Sequence, residues 1–143
     1  MSTPARRRLL NDYKKYQKEA AGLGVLIKLK ANNMMICEAV IFGPDDTEWE
    51  SGVFRLRLEF KDTFPQEPPK VQFLTKMFHP NIYANGNICL DLLDKAWTPL
   101  YDYVAILTSI QSLLTDPNPD SPANNQAAEL FVEGQDDKSS EYY

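Results

Sequence analysis

VFRLRLEF, residues 53–60, places Phe54, Leu56, Leu58 and Phe60 on one side of an extended chain and Arg55, Arg57 and Glu59 on the other. Apolar and charged residues that alternate with period two belong to a strand covered on one face and wet on the other, the usual state of an antiparallel sheet. Two runs before it, VLIKLK (25–30) and MMICEAVIF (34–42), and one after it, VQFLT (71–75), have strand composition. Clusters of Asn, Gly, Pro and Asp separate them. Four successive strands are predicted.

Outside this block the period changes. Thr3 and Pro4 form an N-cap and first helical position, and Leu9, Leu10, Tyr13 and Tyr16 or Gln17 follow at helical spacing, which predicts a helix over 4–18. Arg6, Arg7 and Arg8 stand in its first turns and oppose the helix dipole. Local stability does not explain that choice, whereas a partner surface does. Asp102 is the expected cap of a second helix with the stripe Val104, Leu107, Ile110, Leu113 and Leu114, stopped at Asp116-Pro117. Ser121-Pro122 repeats the cap-and-proline signature, and Ala127, Ala128, Leu130 and Phe131 predict a shorter third helix ending by Gly134. Helix, four strands, irregular segment and helices describe one α+β domain over 1–143 with an antiparallel meander.

Composition narrows the classes of function. The chain has 143 residues, 43% hydrophobic and 24% charged, and no apolar run nears the roughly 20 residues that span a bilayer. MSTPARRRLL turns polar at Asn11 and lacks a secretory pattern, so an intracellular, reducing setting with Cys37 and Cys89 as free thiols is expected. A net charge of −5 opposes direct nucleic-acid binding, since basic residues gather only at Arg6–Arg8 with Lys14, Lys15 and Lys18.

Residues 76–100 break every period and are dense in His, Pro, Asn, Gly, Cys and Trp. A stretch that long without regular structure inside a compact domain usually carries function. Cys89 sits there in NGNICLDLL, among turn residues able to expose a thiol, the strongest nucleophile near neutral pH, whereas Cys37 sits in an apolar strand. A free cysteine taken without its context is more often a small buried hydrophobe than a nucleophile. His79 is the only histidine, so a cysteine-protease arrangement would have to use it as base, with Pro80 restricting its backbone. One His and two widely separated Cys lack the paired spacing of a zinc site. Neither GxxxxGK[ST] nor a strand-following GxGxxG is present, and Asn85-Gly86-Asn87 reads as a tight turn.

His79-Pro80-Asn81, Gly86, Ile88-Cys89-Leu90-Asp91, Trp97 and Pro99, in this order and spacing, resemble the active-site signature of ubiquitin-conjugating enzymes. The resemblance extends to Phe64-Pro65 with Pro68-Pro69, to Tyr101-Asp102 and to DPNPDSPAN at 116–124. MSTPARRRLL, HPNIYANGNICLDLL and SIQSLL are most similar to the branch that ubiquitylates histones and serves DNA-damage tolerance.

The resemblance implies that Cys89 receives ubiquitin from the activating enzyme as a thioester and passes it to a substrate lysine, usually with a RING-type ligase. It implies no cofactor, since ATP is used by the activating enzyme, and a monomer in cytoplasm and nucleus. Asn81 is the expected oxyanion donor, or else ties down the loop through an Asx-type bond. Tyr83, Asp91 and Ser121, with Asp120 nearby, correspond to the walls that orient the attacking amine; Asp91 is alternatively only a loop cap. An amine must be neutral to attack, so a partly desolvated cleft is expected. Where some relatives carry an acid this chain has Ser121, which with Pro122 is also a candidate phosphorylation site.

By the same resemblance His79 and Pro80 are structural. Phe64, Pro65, Gln66, Trp97 and Pro99 match the ligase-facing loops, although Trp97 alone would read as core. Arg6, Arg7 and Arg8 match the surface for the activating enzyme. The family usually continues through a further C-terminal helix, for which DDKSSEYY leaves little length, so the last element is expected to be short or missing. An inactive relative of the fold would lack the cysteine, and an enzyme for a SUMO-like modifier would differ around the active-site loop. Cys89 and its uninterrupted neighbourhood oppose both.

Overall fold

The computed structural model describes residues 3–19, 22–30, 32–118 and 123–136. Helix α1 (Pro4–Glu19) is followed by strands β1 (Val25–Lys30), β2 (Asn33–Phe42), β3 (Val53–Glu59) and β4 (Lys70–Phe73). A single 3-10 turn (Asp91–Leu93), helix α2 (Tyr103–Thr115) and helix α3 (Asn125–Asp136) complete the order. The strands form one antiparallel sheet in sequence order.

Register makes the alternation read from residues 53–60 into a layer. Leu29, Cys37, Leu58 and Val71 lie across from one another in a row, and Ile27, Ala39, Leu56 and Phe73 form the next. All but the half-buried Leu29 are buried in these two rows. Between them, Lys28, Glu38, Arg57 and Gln72 point to the opposite face, where Arg55 pairs with Glu38 at 3.0 Å and Arg57 with Glu59 at 2.9 Å. Those exposed pairs add little stability; the buried rows supply it.

Helices α1 and α2 cover the inner face. Asp102 caps α2, its Oδ1 accepting the Ala105 N–H at 2.9 Å. The buried stripe of α2 is Tyr103, Ile106, Leu107, Ile110, Leu113 and Leu114, so Tyr103 and Ile106 replace the expected Val104, which is only half-buried. On α1 the buried positions are Ala5, Leu9, Asp12 and Tyr16, whereas Leu10 and Gln17 are exposed. Thr3 caps that helix as expected, accepting the Arg6 N–H at 3.2 Å.

Several predicted boundaries move by one residue, and those of β4 and α3 move further. β4 stops at Phe73 because the N–H groups of Leu74 and Thr75 both converge on the Arg55 carbonyl, which ends regular pairing. α3 begins at Asn125, capped by Asn124 Oδ1 on the Ala127 N–H at 3.0 Å, and continues through Gly134 to Asp136. Ser121-Pro122, the expected start, lies outside the described residues. Among the described residues no helix is long and apolar enough to cross a membrane.

Candidate functional site

The irregular segment is ordered by a few buried polar groups. His79 is fully buried, and its Nδ1 accepts the Asn81 backbone N–H at 3.0 Å. An amide can only donate, so Nε2 carries the ring hydrogen and donates it to the Leu113 carbonyl at 2.7 Å. Burial pushes the His79 pKa down to about 4, against the opposing effect of that carbonyl. A neutral imidazole with both nitrogens engaged joins the segment to α2 and has no lone pair left for a proton.

Asn81, also fully buried, continues the chain of contacts. Its Nδ2 donates to the Asn118 carbonyl and its Oδ1 accepts the Asn118 N–H, both at 2.7 Å, a reciprocal amide pair. Its own carbonyl accepts the Cys89 N–H at 2.8 Å. Beside it, the buried Pro80 carbonyl accepts the N–H groups of Ala123 at 2.7 Å and Asn124 at 3.0 Å. One short strip thus fixes the backbone of Cys89 and the chain entering α3. Sequence reasoning did not find Asn118: no local pattern links two asparagines so far apart.

Between Asn81 and Cys89 the chain makes a narrow hairpin. Ile82 pairs with Ile88, and Tyr83 N–H reaches the Asn87 carbonyl at 2.8 Å. The expected Asn85-Gly86-Asn87 turn closes it, with Asn85 Oδ1 accepting the Asn87 N–H at 3.0 Å. Gly86 adopts φ +92°, and a Cβ there would lie 2.1 Å from the Phe73 carbonyl oxygen. Only glycine permits this approach, through which the Phe73 N–H bonds Gly86 at 2.9 Å and docks the hairpin on β4.

Cys89 emerges from the hairpin half-buried, on an open groove of about 230 Å³ lined by Tyr83, Ile88, Cys89, Leu90, Asp91, Leu93 and Asp94. The structure therefore brings together Cys89, Tyr83 and Asp91. Asp94 joins them unexpectedly, carried there by the 3-10 turn that the irregular composition concealed. Asn81 lies behind the groove rather than on it, and Ser121 and Asp120 fall outside the described residues. Cys37, by contrast, is fully buried in β2, and burial pushes its thiol up to about 12. Among the described residues no cluster of His, Cys, Asp and Glu could hold a metal ion.

Away from the groove, Phe64, Pro65, Trp97 and Tyr101 interlock. Trp97 Nε1 donates to the Pro65 carbonyl at 2.9 Å, and its ring lies 6.0 Å from Phe64 and 5.6 Å from Tyr101. Trp97 is thus partly core, while Gln66, Pro99 and Leu100 are exposed around it. Among the three arginines expected to meet the activating enzyme, Arg8 turns inward onto Asp12, Pro99 and Tyr101, which takes it out of that group. Those contacts also offset its misfit with the helix dipole.

A model of the ubiquitin-conjugating enzyme family matches residues 8–142. The chain belongs to this family. It is 58% identical over 139 residues to ubiquitin-conjugating enzyme E2 2 of Kluyveromyces lactis, covering 97% of this chain and 82% of that one. It is 55% identical over 133 residues to ubiquitin-conjugating enzyme E2 3 of Arabidopsis thaliana, covering 93% and 88% respectively. As a ubiquitin-conjugating enzyme it is a ubiquitin transferase with a cysteine thioester intermediate, working between a ubiquitin-activating enzyme and a ubiquitin ligase. Such enzymes need no cofactor of their own.

Proposed function

We propose that Cys89 is the cysteine that carries ubiquitin. The supporting observation is the contrast between the two thiols: Cys37 is sealed in the core with its pKa raised to about 12, and Cys89 stands on an open groove. The Cys89 thiolate attacks the thioester held by the activating enzyme and displaces that enzyme's thiolate. A neutral lysine amine then attacks the new thioester carbonyl. The tetrahedral intermediate expels the Cys89 thiolate, the isopeptide bond forms, and the amine gives up its surplus proton.

Around that step Tyr83 and Asp91 orient the amine, with Ser121 as a third wall and a site where phosphate would add negative charge. Asn81 acts mainly by holding the Cys89 backbone and the Asn118 loop, and its amide is our candidate for oxyanion stabilisation if substrate binding turns it from Asn118. Pro65, Gln66, Trp97 and Pro99 form the surface for a RING-type ligase, Phe64 lies buried beneath them and so leaves the ligase-facing set expected from the sequence, and Arg6 and Arg7 face the activating enzyme. We place the chain in the branch that ubiquitylates histones and serves DNA-damage tolerance. It works as a monomer in nucleus and cytoplasm, without direct contact to nucleic acid.

Incubation with ubiquitin, ATP and activating enzyme tests the central assignment. A thiol-sensitive adduct is expected from the wild type and from Cys37→Ala and is absent from Cys89→Ala. An adduct that survives in Cys89→Ala would remove this residue from the role. For the branch assignment, reaction with nucleosomes and a matching ligase should place ubiquitin on a histone lysine.

A further inference from the structure

Arg8 stands where α1 meets the two loops around Trp97. Its Nε lies 2.9 Å from both carboxylate oxygens of Asp12, one helical turn later. Its Nη1 donates to the Pro99 carbonyl at 2.6 Å and its Nη2 to the Tyr101 carbonyl at 3.0 Å. The guanidinium carbon sits 5.6 Å from the centre of the Phe64 ring. The two accepting carbonyls bracket Leu100, which is 85% exposed, more than any other large hydrophobic residue described.

Each contact uses a property specific to arginine. A planar guanidinium presents several N–H donors in a fixed fork, so one side chain can hold two carbonyls while stacking on an aromatic ring. Asp12 is itself buried in α1, so it anchors the fork to a rigid element rather than to another loop. Lys15, one turn further along α1, reaches Asp102 Oδ2 at 3.3 Å where α2 begins. Both ends of the Pro99–Asp102 stretch are therefore tied to α1, with the Leu100 side chain held outward between the ties.

We propose that Arg8 is a positioning residue for ligase engagement: it fixes the backbone on both sides of Leu100, so that the loop meets a RING-type ligase already in its bound shape. This rests on reading the Phe64–Gln66 and Trp97–Pro99 loops as the ligase surface. Arg8 touches neither the ligase nor the thioester. A loop that is competent only part of the time binds more weakly by that fraction, while the bound complex reacts as before. Loss of Arg8 therefore raises the ligase concentration needed and leaves the saturated rate unchanged.

The test uses full chains charged with ubiquitin to completion, so that differences in loading do not enter. Discharge to free lysine is followed while a RING domain that accelerates the wild type is titrated. For Arg8→Ala the half-maximal RING concentration should rise roughly ten-fold, the scale expected for losing a charge-assisted hydrogen bond. The saturated rate and the RING-free rate should match wild type. Arg8→Lys, which keeps charge and helix propensity but not the fork, should not restore the wild-type curve.

Leu100→Asp serves as the control for the surface itself and should abolish the acceleration. If Leu100→Asp abolishes it and Arg8→Ala and Arg8→Lys both titrate like wild type, the surface stands and the role of Arg8 falls. A fall in the saturated or RING-free rate of Arg8→Lys would likewise overturn it in favour of general structural damage. If Leu100→Asp leaves acceleration intact, the ligase-surface reading falls and takes this proposal with it.

Discussion

Around Cys37 the backbone pairs with strands on both sides, Leu29 on β1 and Leu58 on β3, and the side chain points into a dry layer under α2. Around Cys89 the backbone pairs only where Asn81 and the neighbouring hairpin provide partners, and the side chain borders an open groove. The two residues share a functional group and differ in what supplies their order. In the sheet, order comes from apolar rows that exclude water, which also keeps the Cys37 thiol protonated. In the irregular segment, order comes from His79, Asn81 and Gly86, which hold the chain through directed bonds and one close approach and leave the thiol accessible.

Removing one of those polar supports should therefore cost more than altering the buried cysteine. His79→Ala strands a carbonyl and an N–H that the imidazole now satisfies, and opens a cavity beside them. Its expected cost is about 3–4 kcal/mol, measured by urea denaturation. A cost below that of Cys37→Ala would break the comparison.

The same residue should give the fold a pH signature. His79 titrates at about 4 when folded and near 6.5 when unfolded, so in that window the unfolded chain binds the extra proton. Stability contributed by the neutral imidazole is complete above about pH 6.5 and is lost as pH falls toward 4, by about 3 kcal/mol in all. His79→Gln, which cannot take up the proton, should flatten that slope. An unchanged slope would show that other groups carry it.

Asn81 separates order from chemistry. For Asn81→Ala we expect loading on Cys89 to continue, with single-turnover discharge to lysine slowed up to roughly 100-fold, the scale of one lost oxyanion donor. If discharge slows only in proportion to the unfolded fraction, its task is confined to the Asn118 pairing. The smallest effect belongs to the sheet. Cys37→Ala removes only a sulfur from a packed row and should cost about 1 kcal/mol with loading and discharge both intact.

Much of this was legible in the residues themselves. The alternation through VFRLRLEF assigned the wet and dry faces, Thr3 and Asp102 marked two helix starts, and the Asn85-Gly86-Asn87 turn was evident. The signature around Cys89 pointed to the family that the comparisons then established. Periodicity is less secure at helix faces: the stripe through Val104 misses Tyr103 and Ile106 because apolar residues on an apolar helix have no polar border to set their phase. The start of α3 was misplaced because Ser121-Pro122 and Asn124 are competing caps three residues apart, and only the backbone decides between them.

What the sequence by itself determined was the content of each element and the identity of the two thiols. Those follow from local rules: side-chain period, capping chemistry and the φ angles that proline and glycine impose. What the tertiary structure alone decided was which distant groups meet. Asn81 finds Asn118, His79 finds Leu113, Arg8 leaves the surface for Pro99 and Tyr101, and Asp94 joins Tyr83 and Asp91 beside Cys89. No local rule encodes such pairings. They arise when burying the sheet's apolar face against α1 and α2 brings buried polar groups together, and those groups must then satisfy one another because water cannot.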